Sequence, residues 1–291
     1  MKSSRIQTPD GMLLLRCEEG YEQLGAGAIP WGDAEAIRAA GGEFVKKSPS
    51  RQVVSMETGP GGEGGRVFCK RYVARGLGDT LSVALAGSRA RREFAVGRKA
   101  LEAGLPVARP VAMGEIHRWG IARVSVVVTE AVPHDGTLDA MWTACESNAR
   151  RRELVRAAGA FIREMHDRGL YHDDLAAPHI LTRKSEDGWE FTLIDLLNCR
   201  VGRLGRYAKA KMLYQLCRSL SRVGLGPGGR LRLLRAYLGA GGGGGAGGEE
   251  SGDRAVRKWW KRMECARVLK RGYYGRSRRY LPRVEPITGG R

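Results

Sequence analysis

The sequence predicts an α+β protein of two lobes, with a small β-rich N-lobe that contains one helix and a mostly helical C-lobe. Short β-prone runs lie between residues 43 and 72, and Val124–Thr129 is a continuous apolar, β-branched run typical of a buried strand. After Pro133, which indicates a hinge, apolar residues recur at helical spacing. We therefore divide the chain into an N-terminal extension (1–42), an N-lobe (43–133) and a C-lobe (134–291).

Local signals place the elements of the first 133 residues. In the extension, Gly11–Arg16 is predicted to be a strand, and Asp33 caps a short helix. A longer helix runs from Ser88 to Ala103 and closes at a glycine. The glycine-rich tract 58–65 has neither the G-K-[ST] ending nor the G-x-G-x-x-G register of a phosphate-binding loop, so it is predicted to be a hairpin tip.

The C-lobe is predicted to be helical over most of its length. The expected helices are 138–145, 150–168, 208–221, 231–238 and 254–271. Residues 239–248 contain eight glycines and two alanines, which predicts a flexible insertion. In the last helix Trp259 and Trp260 are expected to pack inward, with a membrane-surface contact as the alternative.

Composition limits the partners and the compartment. The formal charge is +19 and the pI is near 10.2, so the chain attracts polyanions such as nucleic acid, anionic lipid or a phosphorylated glycolipid. No apolar run approaches the roughly 20 residues that cross a bilayer, and no signal peptide is evident, so we expect a cytoplasmic protein. The six cysteines form no C-x-x-C pair, which disfavours zinc knuckles and disulfides and predicts reduced thiols.

The strongest chemical signal is the segment His172–Leu181, His-Asp-Asp-Leu-Ala-Ala-Pro-His-Ile-Leu. It matches the H-x-D-L-x-x-x-x-I-L skeleton of a kinase catalytic loop, with Asp174 as the catalytic base. His179 stands where most kinases have an asparagine that binds a second Mg²⁺. His179 is therefore a candidate metal ligand. Because Mg²⁺ prefers oxygen ligands, two alternatives stay open for it: contact with phosphate, or a hydrogen bond that holds Asp174.

Three further candidate residues follow one another along the chain in the order in which a kinase fold uses them. Lys70, on a predicted strand, is expected to place its cation over the donor's α/β-phosphates, and Glu93 in the next helix is expected to pair with it. Asp195 follows Phe191-Thr192-Leu193-Ile194 at the end of a predicted buried strand, where an acid must bind metal or be paired. Each residue alone is weak evidence, but the ordered set predicts a protein-kinase-like fold.

These segments resemble the lipopolysaccharide kinase (Kdo/WaaP) family. The resemblance rests on His179 in place of asparagine, and on Ile194-Asp195-Leu196 with Asn198 and Arg200 after it in place of D-F-G. It rests also on Ala90-Arg91-Arg92-Glu93 leading to the turn Gly104-Leu105-Pro106-Val107. The resemblance covers about residues 43–275 without the glycine tract.

The resemblance implies ATP-dependent phosphorylation of a sugar hydroxyl, heptose or Kdo, in the lipopolysaccharide inner core. Lys70 would bind the ATP phosphates, with Glu93 pairing it, Asp174 as base and Asp195 on Mg²⁺. The backbone from Glu130 to Val132 would hold adenine at the junction of an ATP-binding N-lobe and a catalytic C-lobe. The acceptor implies a peripheral contact with the anionic inner face of the cytoplasmic membrane, and no nucleic-acid partner is expected.

Two alternatives stay open. The first is a kinase of the same fold that acts on a protein or on another small molecule, although the basic charge disfavours a cationic substrate. The second is a non-catalytic basic binding protein, which the presence of Lys70, Asp174 and Asp195 disfavours. The sequence gives neither the acceptor hydroxyl nor the oligomeric state.

Overall fold

The computed structural model describes residues 1–8, 10–22, 24, 33–58, 65–239 and 254–266. The chain divides into two compact units. The first comprises Met1–Pro133 with Asp195–Leu197, and the second comprises His134–Ile194 with Asn198–Arg291. The first unit thus ends at the proline where the sequence predicts a hinge, and it also takes in three residues that come much later in the chain.

The first unit is built on an antiparallel sheet, which has seven strands within the described residues. The strands are β1 (Lys2–Thr8), β2 (Gly11–Cys17), β3 (Glu43–Ser48), β4 (Arg51–Glu57), β5 (Arg66–Val73), β6 (Pro110–Arg118) and β7 (Ile121–Glu130). Their order across the sheet is β1-β2-β6-β7-β5-β4-β3. At the predicted hairpin tip the amide of Thr58 donates to the carbonyl of Gly65 at 2.9 Å. The residues between them, 59–64, lie outside the described part of the chain.

The stretch 1–42 is not a separate extension, as the sequence suggests, but part of this first unit. Strand β2 pairs with β6, with Leu13 opposite Ile116. Leu13 and Leu15 are completely buried in the apolar cluster that also holds the core residues of β6 and β7. The alternation of buried and exposed residues along β2 is that of a strand with one face on a core. The two strands thus add an apolar layer that the unit cannot lose without exposing its core.

Three helices accompany the sheet in the described residues of the first unit, rather than the two expected. They are α1 (Ala34–Ala39), α2 (Gly76–Ala86) and α3 (Arg89–Glu102). Asp33 caps α1 and Ser88 caps α3 through side-chain oxygens, as predicted. Helix α2 was missed because it begins with Gly-Leu-Gly and turns no apolar face inward; none of its residues is buried.

The second unit is mostly helical, with short strands around the catalytic-loop segment. Its elements are β8 (Gly136–Thr137), α4 (Leu138–Ala144), α5 (Asn148–Asp167), β9 (Leu170–His172), a 3₁₀ turn (Ala177–His179), β10 (Ile180–Ser185), β11 (Gly188–Leu193), β12 (Cys199–Val201), α6 (Arg206–Ser221), α7 (Pro227–Leu238) and α8 (254–266). Strands β10 and β11 form a hairpin, with Ile180 opposite Leu193. None of the helices in the described ranges is long and apolar enough to cross a membrane.

The C-terminal part of the described chain packs on α7. Val256, Met263 and Ala266 are buried, and the ring of Trp259 meets that of Tyr237 edge-on with centroids 5.4 Å apart. The guanidinium of Arg230 lies 5.9 Å from the centre of the Trp260 ring. Helix α8 therefore has the inward packing that was expected of it. The predicted glycine-rich insertion lies outside the described residues except for Gly239, which ends α7 with a left-handed φ of 72°.

Gly159 sets the distance between α5 and α7. A Cβ added to it would stand 2.5 Å from the carbonyl oxygen of Leu233 and 2.9 Å from the Cβ of Ala236. Gly159→Ala is therefore expected to lower the free energy of unfolding by roughly 1–3 kcal/mol, measured by urea denaturation. Gly228→Ala in α7 is the matched control, because the nearest atom to its Cβ would be 3.6 Å away on a flexible arginine. Equal stability of the two variants would contradict this close approach.

His166 is expected to make the free energy of unfolding depend on pH. It is buried on α5, its Nδ1 lies 3.1 Å from the hydroxyl of Tyr237, and burial lowers its pKa from 6.5 to about 3. Between these two values the unfolded chain binds a proton that the folded chain does not. The free energy of unfolding should therefore fall as the pH falls below about 6.5, by up to about 1.4 kcal/mol per pH unit from this group.

Denaturation at a series of pH values checks this expectation. His166→Gln should flatten the decline between about pH 6 and pH 3.5 relative to the parent protein. His134→Gln, at an exposed histidine, should keep the parent slope. An unchanged slope in His166→Gln would show that another group causes the decline.

Candidate active site

Lys70 lies on β5, between β4 and β7, opposite Val53 on one side and Val127 on the other. Its ammonium is 2.5 Å from Oε1 of Glu93 on α3, and the two side chains are only 11% and 4% exposed. The pair that the sequence suggested is thus formed in the structure. A buried ion pair contributes little to stability compared with apolar residues of the same volume, which points to a role beyond folding.

Tyr72 extends this pair, and the sequence analysis missed it. Its hydroxyl donates a hydrogen bond to Oε2 of Glu93 at 2.6 Å. Burial raises the pKa of Tyr72 far above its ordinary value, so the hydroxyl remains a donor. The signal was present in the sequence, because residues two apart on a strand point to the same face and Tyr72 follows Lys70 by two. Both carboxylate oxygens of Glu93 are therefore fixed.

Asp195 belongs to the same unit as Lys70 and is held by an arginine. Its Oδ2 accepts a hydrogen bond from Nη1 of Arg51 on β4 at 3.1 Å, with about a fifth of each side chain exposed. Its φ of 63° is left-handed, which is uncommon outside glycine and is often seen at functional sites. Leu197 then packs on the apolar cluster around Phe94. This packing shows how leucine, where D-F-G has glycine, is accommodated.

Arg51 is a site residue that sequence reasoning did not find. Its guanidinium lies 5.8 Å from the ring centre of Tyr72 and also donates to Asp195. No sequence motif predicts this contact, because Asp195 is 144 residues away from Arg51 along the chain. It carries a cation next to the carboxylate that is the metal candidate.

The segment Glu130–Val132, which is predicted to hold adenine, begins at the last residue of β7. The amide of Glu130 donates to the carbonyl of Arg109 at 2.9 Å, and the amide of Ala131 donates to the carbonyl of Arg66 at 2.8 Å. Desolvation raises the pKa of the Glu130 carboxyl. Val132 is half-buried and immediately precedes Pro133. Contact of this segment with adenine remains a prediction.

In the second unit Asp174 and His179 lie at the two ends of one turn. The Nδ1 of His179 is 2.9 Å from the backbone carbonyl of Asp174, not from its carboxylate. Since a carbonyl only accepts, Nδ1 donates the hydrogen bond. The ring stacks on that of His172 at 5.6 Å, and the amide of Ile194 donates to the carbonyl of His179 at 3.0 Å. His179 thus fixes the shape of the turn that presents Asp174.

The two adjacent aspartates of this turn have different surroundings. The Oδ1 of Asp173 accepts from Lys211 at 2.7 Å and from the hydroxyl of Tyr171 at 2.8 Å. Gln215 also donates to its backbone carbonyl. Asp174 is exposed. The two aspartates therefore differ: the side chain of Asp173 is held by neighbours, and that of Asp174 is exposed.

The candidate metal ligands, Asp195 and His179, suit a metal ion that is held mainly by phosphate oxygens. In the described part of the chain no group of three or more His, Cys, Asp or Glu is placed to hold a metal ion. Mg²⁺ in phosphoryl-transfer sites commonly takes one or two carboxylates together with phosphate oxygens and water, so Asp195 fits such an ion. An imidazole is a poor ligand for it, and His179 already uses Nδ1 in the turn.

The fold class is protein-kinase-like. The first unit has the antiparallel sheet and the buried lysine–glutamate pair of that class, and the second unit is mostly helical and has the segment that matches a kinase catalytic loop. The solved structure "WaaP in complex with acyl carrier protein" shows the same fold, with a TM-score of 0.57, 24% identity and coverage of 84% of this chain and 99% of that one. Residues 37–237 match the model of the lipopolysaccharide kinase (Kdo/WaaP) family, and the chain belongs to that family.

Curated relatives carry two different names. A 3-deoxy-D-manno-octulosonic acid kinase of Haemophilus influenzae is 31% identical over 140 residues, 48% of this chain and 56% of the relative. The lipopolysaccharide core heptose(I) kinase WaaP of Pseudomonas aeruginosa is 27% identical over 233 residues, 76% of this chain and 84% of the relative. The chain spans about half the length of the Haemophilus influenzae kinases that it matches, from 47% to 63%.

Proposed function

We propose that this protein is an ATP-dependent kinase that phosphorylates a sugar hydroxyl, heptose or Kdo, of the lipopolysaccharide inner core. The observation that carries the proposal is the buried Lys70–Glu93 pair, within a chain of the lipopolysaccharide kinase family. Such a pair adds little to stability compared with apolar residues of the same volume, whereas in a kinase its ammonium binds phosphate.

In the proposed mechanism the first unit binds the donor. Lys70 contacts the phosphates of ATP, Glu93 keeps the ammonium in place, and Tyr72 keeps Glu93 in place. Asp195 would hold Mg²⁺, which supplies positive charge against the charge that develops on the phosphates. The backbone of Glu130–Val132 would bind adenine.

The second unit would act on the acceptor. Asp174 accepts the proton of the attacking sugar hydroxyl, and its exposed carboxylate leaves room for a bulky sugar. His179 positions this aspartate through the backbone carbonyl. Asp173 is a poor candidate for the base because Lys211 and Tyr171 already occupy its carboxylate.

The relatives' names leave two acceptor sugars. Purified protein should consume ATP with inner-core oligosaccharide, and paired acceptors that end in Kdo or in heptose should distinguish the two. Phosphate on one sugar, located by mass spectrometry, would assign the acceptor. Transfer to protein but not to sugar would favour the alternative kinase, and no transfer to any acceptor by folded protein would favour the non-catalytic alternative.

The proposed setting is the cytoplasm, with peripheral contact at the inner face of the cytoplasmic membrane, where a glycolipid acceptor would be reached. The charge of +19 supports attraction to anionic lipid. We propose no nucleic-acid partner.

A further inference from the structure

Four large apolar side chains stand out by their exposure. Leu77 is 90% exposed, Trp119 88%, Leu85 80% and Leu81 61%, the highest values among the large hydrophobic residues that the structure describes. Single exposed apolar residues are normal on a protein surface. Three exposed leucines on one helix are unusual, and clusters of exposed apolar side chains often mark interaction sites.

The three leucines form one line along α2. They are spaced four residues apart, so they follow one another on the same side of the helix. The other side is attached to the sheet, because Nη1 of Arg123 on β7 donates to the hydroxyl of Thr80 at 2.7 Å. Asp79, the only acidic residue of α2, is paired with Arg89 at 2.8 Å. The leucines therefore face solvent from a helix that is fixed in place.

Trp119 lies at the same end of the sheet. It forms the tip of the β6–β7 hairpin with a left-handed φ of 51°. Strand β7 begins two residues later and reaches Arg123, which contacts α2. The guanidinium of Arg118 lies 4.7 Å from the centre of the Trp119 ring. We call Leu77, Leu81, Leu85 and Trp119 the α2 surface.

The charge around the α2 surface is positive. Segments 73–92 and 115–123 together contain one aspartate, one glutamate and six arginines, namely Arg75, Arg89, Arg91, Arg92, Arg118 and Arg123. The two carboxylates pair with Arg89 and Arg91, which leaves a surplus of arginines. A second copy of this chain would bring the same positive charge to the surface, so self-association is electrostatically disfavoured. An anionic bilayer offers the opposite charge to the arginines and an apolar layer to the leucines.

We propose that the α2 surface is the site at which this protein docks on an anionic lipid bilayer. The leucines enter the boundary between headgroups and acyl chains, Trp119 lies at the level of the headgroups, and the exposed arginines contact lipid phosphates. The assignment does not depend on the acceptor sugar or on kinase activity. It would keep a kinase close to a lipid-borne acceptor.

Cosedimentation with lipid vesicles tests the proposal. The full chain should bind vesicles of phosphatidylglycerol and phosphatidylcholine in equal parts more strongly than vesicles of phosphatidylcholine alone. At near-physiological ionic strength, where diffuse attraction is screened, the triple variant Leu77→Gln, Leu81→Gln, Leu85→Gln should lose at least about tenfold in partition coefficient. Because these side chains are exposed, the variant is expected to fold, which circular dichroism verifies.

A matched control replaces exposed apolar residues elsewhere. Met12→Gln with Val45→Gln, at side chains that are 50% and 58% exposed, should bind vesicles as the parent protein does. Brominated lipids should quench part of the tryptophan fluorescence, and Trp119→Phe should remove that part.

Three outcomes would overturn the proposal. One is parental vesicle binding by the triple variant, and another is no binding by the parent protein. The third is a parent protein whose mass by light scattering is that of a dimer, with the triple variant a monomer, because the surface would then hold a second copy.

Discussion

Asp174→Asn is expected to lower kcat by roughly 10²- to 10⁴-fold while leaving the thermal stability nearly unchanged. The amide has the shape of the carboxylate but cannot accept the hydroxyl proton. The side chain is exposed, so folding loses little. The turn itself is held by the backbone carbonyl of Asp174, which the substitution does not alter. The measurement is steady-state kinetics with ATP and inner-core oligosaccharide, beside a thermal melt.

Two variants give this result its meaning. Asp187→Asn, at an exposed aspartate of the β10–β11 turn, should keep parental activity and stability. Asp173→Asn should lower the melting temperature, because Lys211 and Tyr171 lose a charged acceptor. Full activity in Asp174→Asn would remove this residue from the role of base.

A double-mutant cycle on Lys70 and Glu93 is expected to show a coupling between them in the free energy of unfolding. Lys70→Met leaves the carboxylate of Glu93 buried with only the Tyr72 hydroxyl as a partner in the described network, and this is expected to cost about 3–5 kcal/mol of unfolding free energy. Glu93→Gln leaves the ammonium buried instead. The double variant should recover at least about 1 kcal/mol of the summed loss, because it leaves no unpaired charge.

Activity should follow a different pattern from stability in this cycle. Each of the three variants should lose about 10²-fold or more in kcat/KM for ATP, since none presents a fixed cation to the phosphates. Recovery of both stability and activity in the double variant would show that the pair is only structural. Urea denaturation and ATP turnover on the same preparations separate the two cases.

The sequence predicts the proposed chemistry of the site wherever its residues lie in a short string. The catalytic-loop segment around Asp174 and the run that ends at Asp195 are local patterns, because each role requires a fixed spacing within a few residues. Lys70 and Glu93 were found by their order along the chain. Their contact joins strand β5 to the second helix after it, since α2 comes between β5 and α3 in the chain.

Contacts between distant residues were not readable in this way. Arg51 meets Asp195 across 144 residues, and no spacing rule relates the two. Helix α2 was not predicted either, because a helix whose leucines face solvent lacks the apolar pattern of a helix that packs on a core. Likewise, the residues before Glu43 looked separate because the strand they pair with, β6, starts at Pro110.

By itself, then, the sequence determined the two-lobed α+β class, the family and the residues of the proposed chemistry, because these depend on local strings and on their order. The tertiary structure alone decided that Asp173 pairs with Lys211 while Asp174 stays exposed, that Tyr72 and Arg51 hold the predicted carboxylates, and that strands β1 and β2 complete the first sheet. These outcomes depend on burial and on which partner each charge meets in space. Neither is encoded in any single stretch of the chain.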